Sequence, residues 1–416
     1  MRDNTKGESL MQNGVLSGLR VIDCGTYVAG PASATIMSDF GAEVIKVERP
    51  QGGDLYRFMA AQPGFAHSDV NWAWVLTSRN KKSVALDLSV AQGRDILLHL
   101  VKTADVFVTN YQHPLLEKFQ LTWEHLRAEN DRLIYAHLTG YGDTGDDADA
   151  PAYDALAYWA RSGLMMSAVG LDGTPASPRP AMGDHPTSVS LFGAIMLGLY
   201  HRERTGKGVK VGSSLMASGA WANACGIQAK FCNAEFPQRS ADGTPPNPLA
   251  AGYLSRDRRA FLVILLDPDK EFPNLCRALG YEELGFNPLF STTAARVENG
   301  PALFAILQGQ FETRDLDEWR VLFKDADIKW APLPKLEEVV ADPQMRASGS
   351  FVNLDYPGRG KLTTVSGPVF IDAGPKRPPT LAPELGAHTS EVLRGLGCDD
   401  ATIAKLVRDG IVALKG

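Results

Sequence analysis

The residues most suited to chemistry lie in Gly183-Asp184-His185, between a proline-rich stretch (178–182) and a long apolar run. Gly183 lets backbone approach a ligand closely, and Pro186 suits an early helical position. Asp184 is therefore expected at or just before a helix N-terminus. There it has two readings. It can cap the helix, stabilising it by about 1 kcal/mol, although Thr187 and Ser188 offer hydroxyls for the same job. It can also act as an ionised nucleophile toward an activated acyl group. A second group is cationic: Arg49 follows "VIKVE", Arg79, Lys81 and Lys82 sit in "TSRNKKS", and Lys118 follows "VTNYQ". Singly, each is a solvated surface residue. Clustered near strand ends, they suit a ligand with several phosphates. The turn "GTYVAGPAS" (25–33) carries Gly25 and Gly30 but not the G-x-G-x-x-G spacing, which disfavours a nicotinamide enzyme. The acidic run 142–150 lacks calcium-loop spacing and reads as a flexible solvated loop. None of the eight histidines forms an HExxH or other ligand pair, so no metal is expected.

These residues need a scaffold, and the pattern around them supplies one. "LSGLRVIDCG", "PASATIMSDFG" and "AEVIKVE" read as strand, helix and strand. "KSVALDLS", "AQGRDILLHLVKTA", "DVFVTN", "PLLEKFQLTWEHLRAEN" and "RLIYAHLTGYG" continue the alternation. It predicts a doubly wound α/β sheet with ligands at the carboxyl ends of its strands. "PAYDALAYWARSGLMMSAVG" reads as a helix, whose Tyr153, Tyr158, Trp159, Met165 and Met166 either fill a core or line an apolar pocket. The expected division is a flexible leader (1–14), a large domain (15–220), a linker (221–250), a small domain (251–345) and a linker with a C-terminal return (346–416). The tail "HTSEVLRGLGCDDATIAKLVRDGIV" reads as two short helices. A formal charge of −6 argues against nucleic-acid binding. The apolar run near 189–200 is too short to span a bilayer, and the polar N-terminus is not a signal peptide. Five cysteines without CxxC read as reduced thiols of a cytoplasmic protein.

Several segments together resemble the class III CoA-transferases (CaiB/BaiF family): "LSGLRVIDCGTYVAGPASATIMSDFGAEVIKVERPQGGD", "SRNKKSVALDLS", "DVFVTNYQHPLLEKF", "LIYAHLTGYG" and "RTGKGVKV". The resemblance implies a Rossmann-like large domain with a parallel sheet, a smaller α+β domain and an interlocked homodimer. It implies acyl-CoA and carboxylic acids as substrates, with no tightly bound cofactor. The family's nucleophilic aspartate, in a Gly-Asp pair before a helix, matches Gly183-Asp184. Arg49, Arg79, Lys82, Asn110, Tyr111 and Lys118 fall where the family surrounds CoA, and Val28, Gly30, Tyr153 and Asp154 in the neighbourhood of the acyl group. The chain departs from two branches. Tyr153-Asp154 stands where the related racemases carry His-Asp, and a phenol of ordinary pKa about 10 is a poor base at neutral pH. Val28 stands where the formyl-CoA transferase branch carries glutamine, and the glycine-run loop of that branch is absent near 240–255. "PNPLAAGYLSRDRRAF" is instead similar to the branch acting on 2-hydroxy, aryl or branched-chain acids. A racemase or epimerase is the alternative, and a CoA-binding protein without catalysis a third reading.

Overall fold

A computed structural model describes residues 14–168, 174–176, 178–237, 243–372 and 374–416. All but the last residue of the expected leader lies outside them. The chain divides into two compact units. One holds the described residues of 14–165, 178–224 and 346–416, the other those of 166–176 and 225–345.

The first unit is built on a sheet. Its strands are β1 (Arg20–Asp23), β2 (Glu43–Glu48), β3 (Lys81–Leu86), β4 (Val106–Thr109), β5 (Ile134–Thr139) and β6 (Val209–Ser214). The spatial order is 3-2-1-4-5-6, all parallel, with the terminal strand Val412–Ala413 antiparallel on β3. This order reverses direction between β1 and β4, which opens a crevice at their carboxyl ends. The strands read as almost continuous apolar runs because both faces are covered. Alternate residues serve opposite cores. Ile22, Ile45 and Phe107 pack with Leu97, Leu100 and Leu393 on one side. Val21, Val44 and Val106 pack with Met37, Leu191 and Ile195 on the other.

The helices that bear on the site are α1 (Ala29–Asp39), α2 (Trp72–Ser78), α3 (Ala91–Val101), α4 (His113–Phe119), α5 (Trp123–Glu129) and α6 (Asp184–Thr205). The predicted helix at 151–170 is instead a π-type turn over Asp154–Ala160 followed by one helical turn, Leu164–Ser167. The stretch 221–250, read as a linker, contains the helix Ala224–Phe231. The stretch 346–416 contains a β-hairpin, Phe351–Tyr356 with Gly360–Val365, as well as the two predicted helices.

The second unit has a three-stranded antiparallel sheet, in the order Ala250–Leu254, Ala260–Ile264, Trp330–Pro332. Its core is aromatic. Phe311 meets Phe261 and Trp319 edge-on, and Trp319 stacks on Phe323.

Candidate active site

A cavity of about 800 Å³ opens at the carboxyl ends of β1, β4 and β5. Among the predicted site residues, Val28, Asn110, Tyr111, Tyr153, Asp154 and Asp184 line it. Asp184 is the first residue of α6, a helix of 22 residues. No side chain caps this helix. The Thr187 and Ser188 hydroxyls donate to the carbonyls of Gly183 (2.8 Å) and His185 (2.6 Å), so they do not replace Asp184 as caps. The Asp184 carboxylate itself accepts no hydrogen bond among the described residues and faces the cavity wall shared with Asp154.

Gly183 explains how the two carboxylates come together. Its N–H donates to Asp154 Oδ1 at 3.0 Å. A Cβ at position 183 would lie 2.3 Å from that same oxygen and 2.3 Å from Tyr158 Cγ, so only glycine fits. Burial, with repulsion from Asp154, pushes the Asp184 carboxyl up to about 7. Burial also raises Asp154, although backbone N–H groups of residues 181–183 oppose the shift. His185 is pulled below its ordinary value by burial and by the positive charge of Arg79.

The loop after β1 is held from beneath. The Asn110 amide clamps Thr26, accepting from its N–H (2.8 Å) and donating to its carbonyl (2.9 Å). Asp54 Oδ1 accepts from the N–H groups of Tyr27 (3.1 Å) and Tyr56 (3.0 Å). Lys46 Nζ lies 3.0 Å from Asp54 and donates to the Gly25 carbonyl. Lys81 donates to Asp23 (2.8 Å) and to the Pro31 carbonyl (2.7 Å). All four charged side chains are buried. Burial works against the Lys46 charge, but Asp23, Asp54 and Glu48 outweigh it and raise the group above its ordinary value. Tyr27, at φ 61, is held in the left-handed region by this frame.

The expected phosphate array is largely committed elsewhere. Arg79 is buried and bidentate on Asp39 (3.0 and 2.7 Å), which makes it a structural residue of the α1–α2 junction. Lys82 bridges Glu43 (2.7 Å) and Glu391 (2.8 Å). Arg49 is exposed, with Nε on the Gly53 carbonyl at 3.1 Å. Lys118 is exposed and makes no ion pair among the described residues. Gly30 is buried in α1, against Asn110 rather than in the cavity wall.

Other lining residues escaped the sequence reading. Tyr27, Tyr56, Met59, Phe65 and Trp72 form an apolar wall. For all but Tyr27 the only signal was the density of aromatic residues between 56 and 74, where no clear period appears. Of the stretch proposed as an apolar pocket, Tyr153 lines the cavity, whereas Tyr158 is buried behind Gly183 and Met166 is exposed. The acidic loop is tethered rather than free: Asp143 pairs with His137 (3.0 Å) and Lys210 (2.8 Å), Asp147 with Arg161 (2.8 Å), and Asp149 with His113 (2.9 Å). The histidines also meet, because β4 and β5 are neighbours. Ligand atoms of His113, His137 and Asp143 lie within 4.8 Å of one another.

The sequence and fold both have close counterparts. A family profile described as CoA-transferase family III matches residues 16–389. A cinnamoyl-CoA:phenyllactate CoA-transferase of Clostridium sporogenes is 31% identical over 95% of this chain and 96% of its own. A succinyl-CoA:glutarate CoA-transferase of Homo sapiens is 32% identical over 95% of this chain and 90% of its own. The crystal structure of a CAIB/BAIF family protein from Brucella suis superposes with a TM-score of 0.80 at 28% identity, covering 92% of this chain and 100% of that one. With the profile spanning nearly its whole length, the chain belongs to CoA-transferase family III.

Proposed function

We propose that this CoA-transferase works through covalent catalysis by Asp184. The observation that carries the reading is the placement of its carboxylate. It heads α6, faces the cavity and has no hydrogen-bond partner among the described residues. The carboxylate attacks the acyl-CoA carbonyl, the C–S bond breaks, and a mixed aspartyl–acyl anhydride and CoA thiolate result. The thiolate attacks the aspartyl carbonyl, which expels the first acid and leaves an aspartyl-CoA thioester. The acceptor carboxylate attacks that thioester and forms a second anhydride. The returning thiolate takes its acyl carbonyl, which frees Asp184 and the new acyl-CoA. One thioester is exchanged for another, so no ATP is consumed.

The apolar wall of Tyr27, Tyr56, Met59, Phe65 and Trp72 supports an aryl or branched-chain acid. The Clostridium relative, named for cinnamoyl-CoA and phenyllactate, agrees with that choice. Of the expected cations, Arg49 and Lys118 are those left for CoA phosphates, while Asn110 shapes the loop beside the reacting carbonyl. The working unit is a homodimer. The helix Ala224–Phe231 buries none of its residues within the chain, which supports a partner surface there.

Intact mass after incubation with aryl- and branched-chain acyl-CoAs tests the mechanism. Wild type should gain a CoA-sized adduct removable by hydroxylamine, and Asp184→Ala should not. An unmodified wild type that exchanges the α-proton of the same thioesters would replace transfer by racemisation. Faster transfer to succinate than to a phenyl-substituted acid would overturn the substrate class.

A further inference from the structure

We propose that His113, His137 and Asp143 form a binding site for one divalent transition-metal ion, best matched by Zn²⁺. His137 lies in β5, His113 opens α4, and Asp143 lies in the loop after β5. They come together because β4 and β5 are paired in register, with Thr109 opposite His137.

The case begins with proton counting. A neutral imidazole has one N–H donor and one lone pair. His113 Nδ1 faces Asp149 Oδ1 at 2.9 Å, and His137 Nε2 faces the Tyr111 carbonyl at 2.9 Å. Each histidine thus has an acceptor at both nitrogens. Without an ion the inner N–H goes to Asp143, the pairing that tethers the loop; with an ion the N–H sits on the outer nitrogen, and the inner nitrogens, His113 Nε2 and His137 Nδ1, present lone pairs. They point at Asp143 Oδ1 from 3.4 and 3.0 Å, and that oxygen is also an acceptor. In that tautomer three ligand atoms within 4.8 Å of one another offer lone pairs, an arrangement that a cation satisfies.

The dimensions suit a small ion. Bonds of about 2.0–2.1 Å at tetrahedral angles separate neighbouring ligand atoms by about 3.3 Å and the two ring centres by about 5 Å. The rings of His113 and His137 are 5.3 Å apart and nearly perpendicular, at 81°. The outer contacts match those that orient metal ligands: a carboxylate behind one histidine and a backbone carbonyl behind the other. Lys210 Nζ holds the second oxygen of Asp143 at 2.8 Å, which leaves Oδ1 for the ion. Two imidazoles and one carboxylate favour Zn²⁺ or Co²⁺ over Mg²⁺ or Ca²⁺. Both histidines line the cavity, so the fourth position is open to a water or to a substrate oxygen. The ion would pin the acidic loop, whose Ala148 and Ala150 also line that cavity. The site stands whether or not Asp184 is the nucleophile.

Co²⁺ titration of chelator-stripped full-length protein tests it. The expected result is one equivalent bound with the intense visible d–d bands of four-coordinate cobalt, displaced by one equivalent of Zn²⁺. His113→Ala and Asp143→Asn should each weaken binding at least tenfold. Both residues are partly exposed, so the variants should fold, which far-UV circular dichroism checks. Asp149→Asn, which removes only the carboxylate behind His113, should weaken binding about 10–100-fold. Wild type that takes up no stoichiometric Co²⁺ overturns the site. So do His113→Ala and Asp143→Asn variants that bind like wild type, since binding through exposed Cys225 or Cys232 would survive both changes.

Discussion

Asp184→Asn should remove a pH-dependent weakness from the fold. Burial and Asp154 raise the Asp184 carboxyl from 3.8 to about 7. For a group raised on folding, the stabilising contribution is complete below the unfolded value, near pH 4. It is lost as pH rises through the folded value, near 7, and the loss is constant above that. About three pKa units at about 1.4 kcal/mol each set a ceiling of roughly 4 kcal/mol. Asp184 keeps some access to the cavity, so solvent screening reduces the expected loss to about 2 kcal/mol. Asparagine reproduces the shape of the protonated carboxyl and cannot ionise. At pH 5 the folded carboxyl is still neutral but the unfolded one, with its ordinary value of 3.8, is ionised, so roughly 1.2 of the three pKa units are already lost. Between pH 5 and pH 8 the remainder is lost, so the variant should gain on wild type by about 1 kcal/mol. Urea unfolding followed by tryptophan fluorescence at the two pH values, at one ionic strength, measures the difference of differences. This comparison cancels effects of the substitution that do not titrate. A gap that is the same at both pH values, or one that grows in favour of wild type on going to pH 8, would refute the reasoning that Asp184 is a destabilised anion.

Three other outcomes follow from the same geometry. The rate of adduct formation should rise about tenfold between pH 6 and pH 8, as the ionised fraction of a group near 7 goes from about a tenth to about nine-tenths; rapid-quench mass spectrometry giving a flat profile would place the titration elsewhere. Gly183→Ala should cut kcat about 100-fold with little change in CoA affinity, because its Cβ would sit 2.3 Å from Asp154 Oδ1 and push the Asp184 turn aside. Unchanged steady-state turnover would mean that the turn tolerates the displacement. Lys46→Met should destabilise the first unit by about 3–5 kcal/mol, because it leaves Asp23 and Asp54 buried with one fewer cation. A melting temperature within a degree of wild type would contradict that account.

The parallel sheet was legible because each of its strands β1–β5 is a short apolar run bounded by turn residues, and because helical periods separate them. The position of Asp184 was legible for a similar local reason: glycine, acid and proline precede an apolar helix. Arg79 shows where local reading ends. Its partner, Asp39, lies at the end of α1, and nothing near residue 79 announces the pairing that withdraws it from a ligand. Lys81 and Lys82 are adjacent in sequence but point to opposite sides of β3, one to buried Asp23 and the other to Glu43 and Glu391. Apart from Tyr27, the apolar wall came from a segment, 55–72, with neither a helical nor a strand period, so composition hinted at it without giving it a place. His113, His137 and Asp143 are separated by 24 and 6 positions, spacings that match no ligand motif. Only strand order brings them together.

If Asp184 is the nucleophile, as proposed, its raised basicity bears on equilibrium as well as rate. Conversion of its carboxylate to a thioester removes a buried anion beside Asp154, just as protonation does. The free energy that lifts the carboxyl to about 7 therefore also favours the enzyme-bound thioester over free acyl-CoA, provided that the pH is high enough for Asp184 to start ionised. An ordinary carboxylate, stable in water, would gain nothing from being acylated. Asp154→Asn separates these effects. The amide oxygen can still accept from the Gly183 N–H, so the turn is kept, while the repelling charge is gone. At pH 8 and a fixed ratio of acyl-CoA to free acid, the equilibrium between adduct and free enzyme should shift toward free enzyme, about tenfold for each pKa unit by which Asp184 falls. At pH 5 the two proteins should differ much less, because Asp184 is already protonated. Intact mass spectrometry of equilibrated mixtures gives both ratios. An Asp154→Asn enzyme that carries as much adduct as wild type at pH 8 would mean that Asp154 holds the turn in place and contributes nothing electrostatic to the exchange.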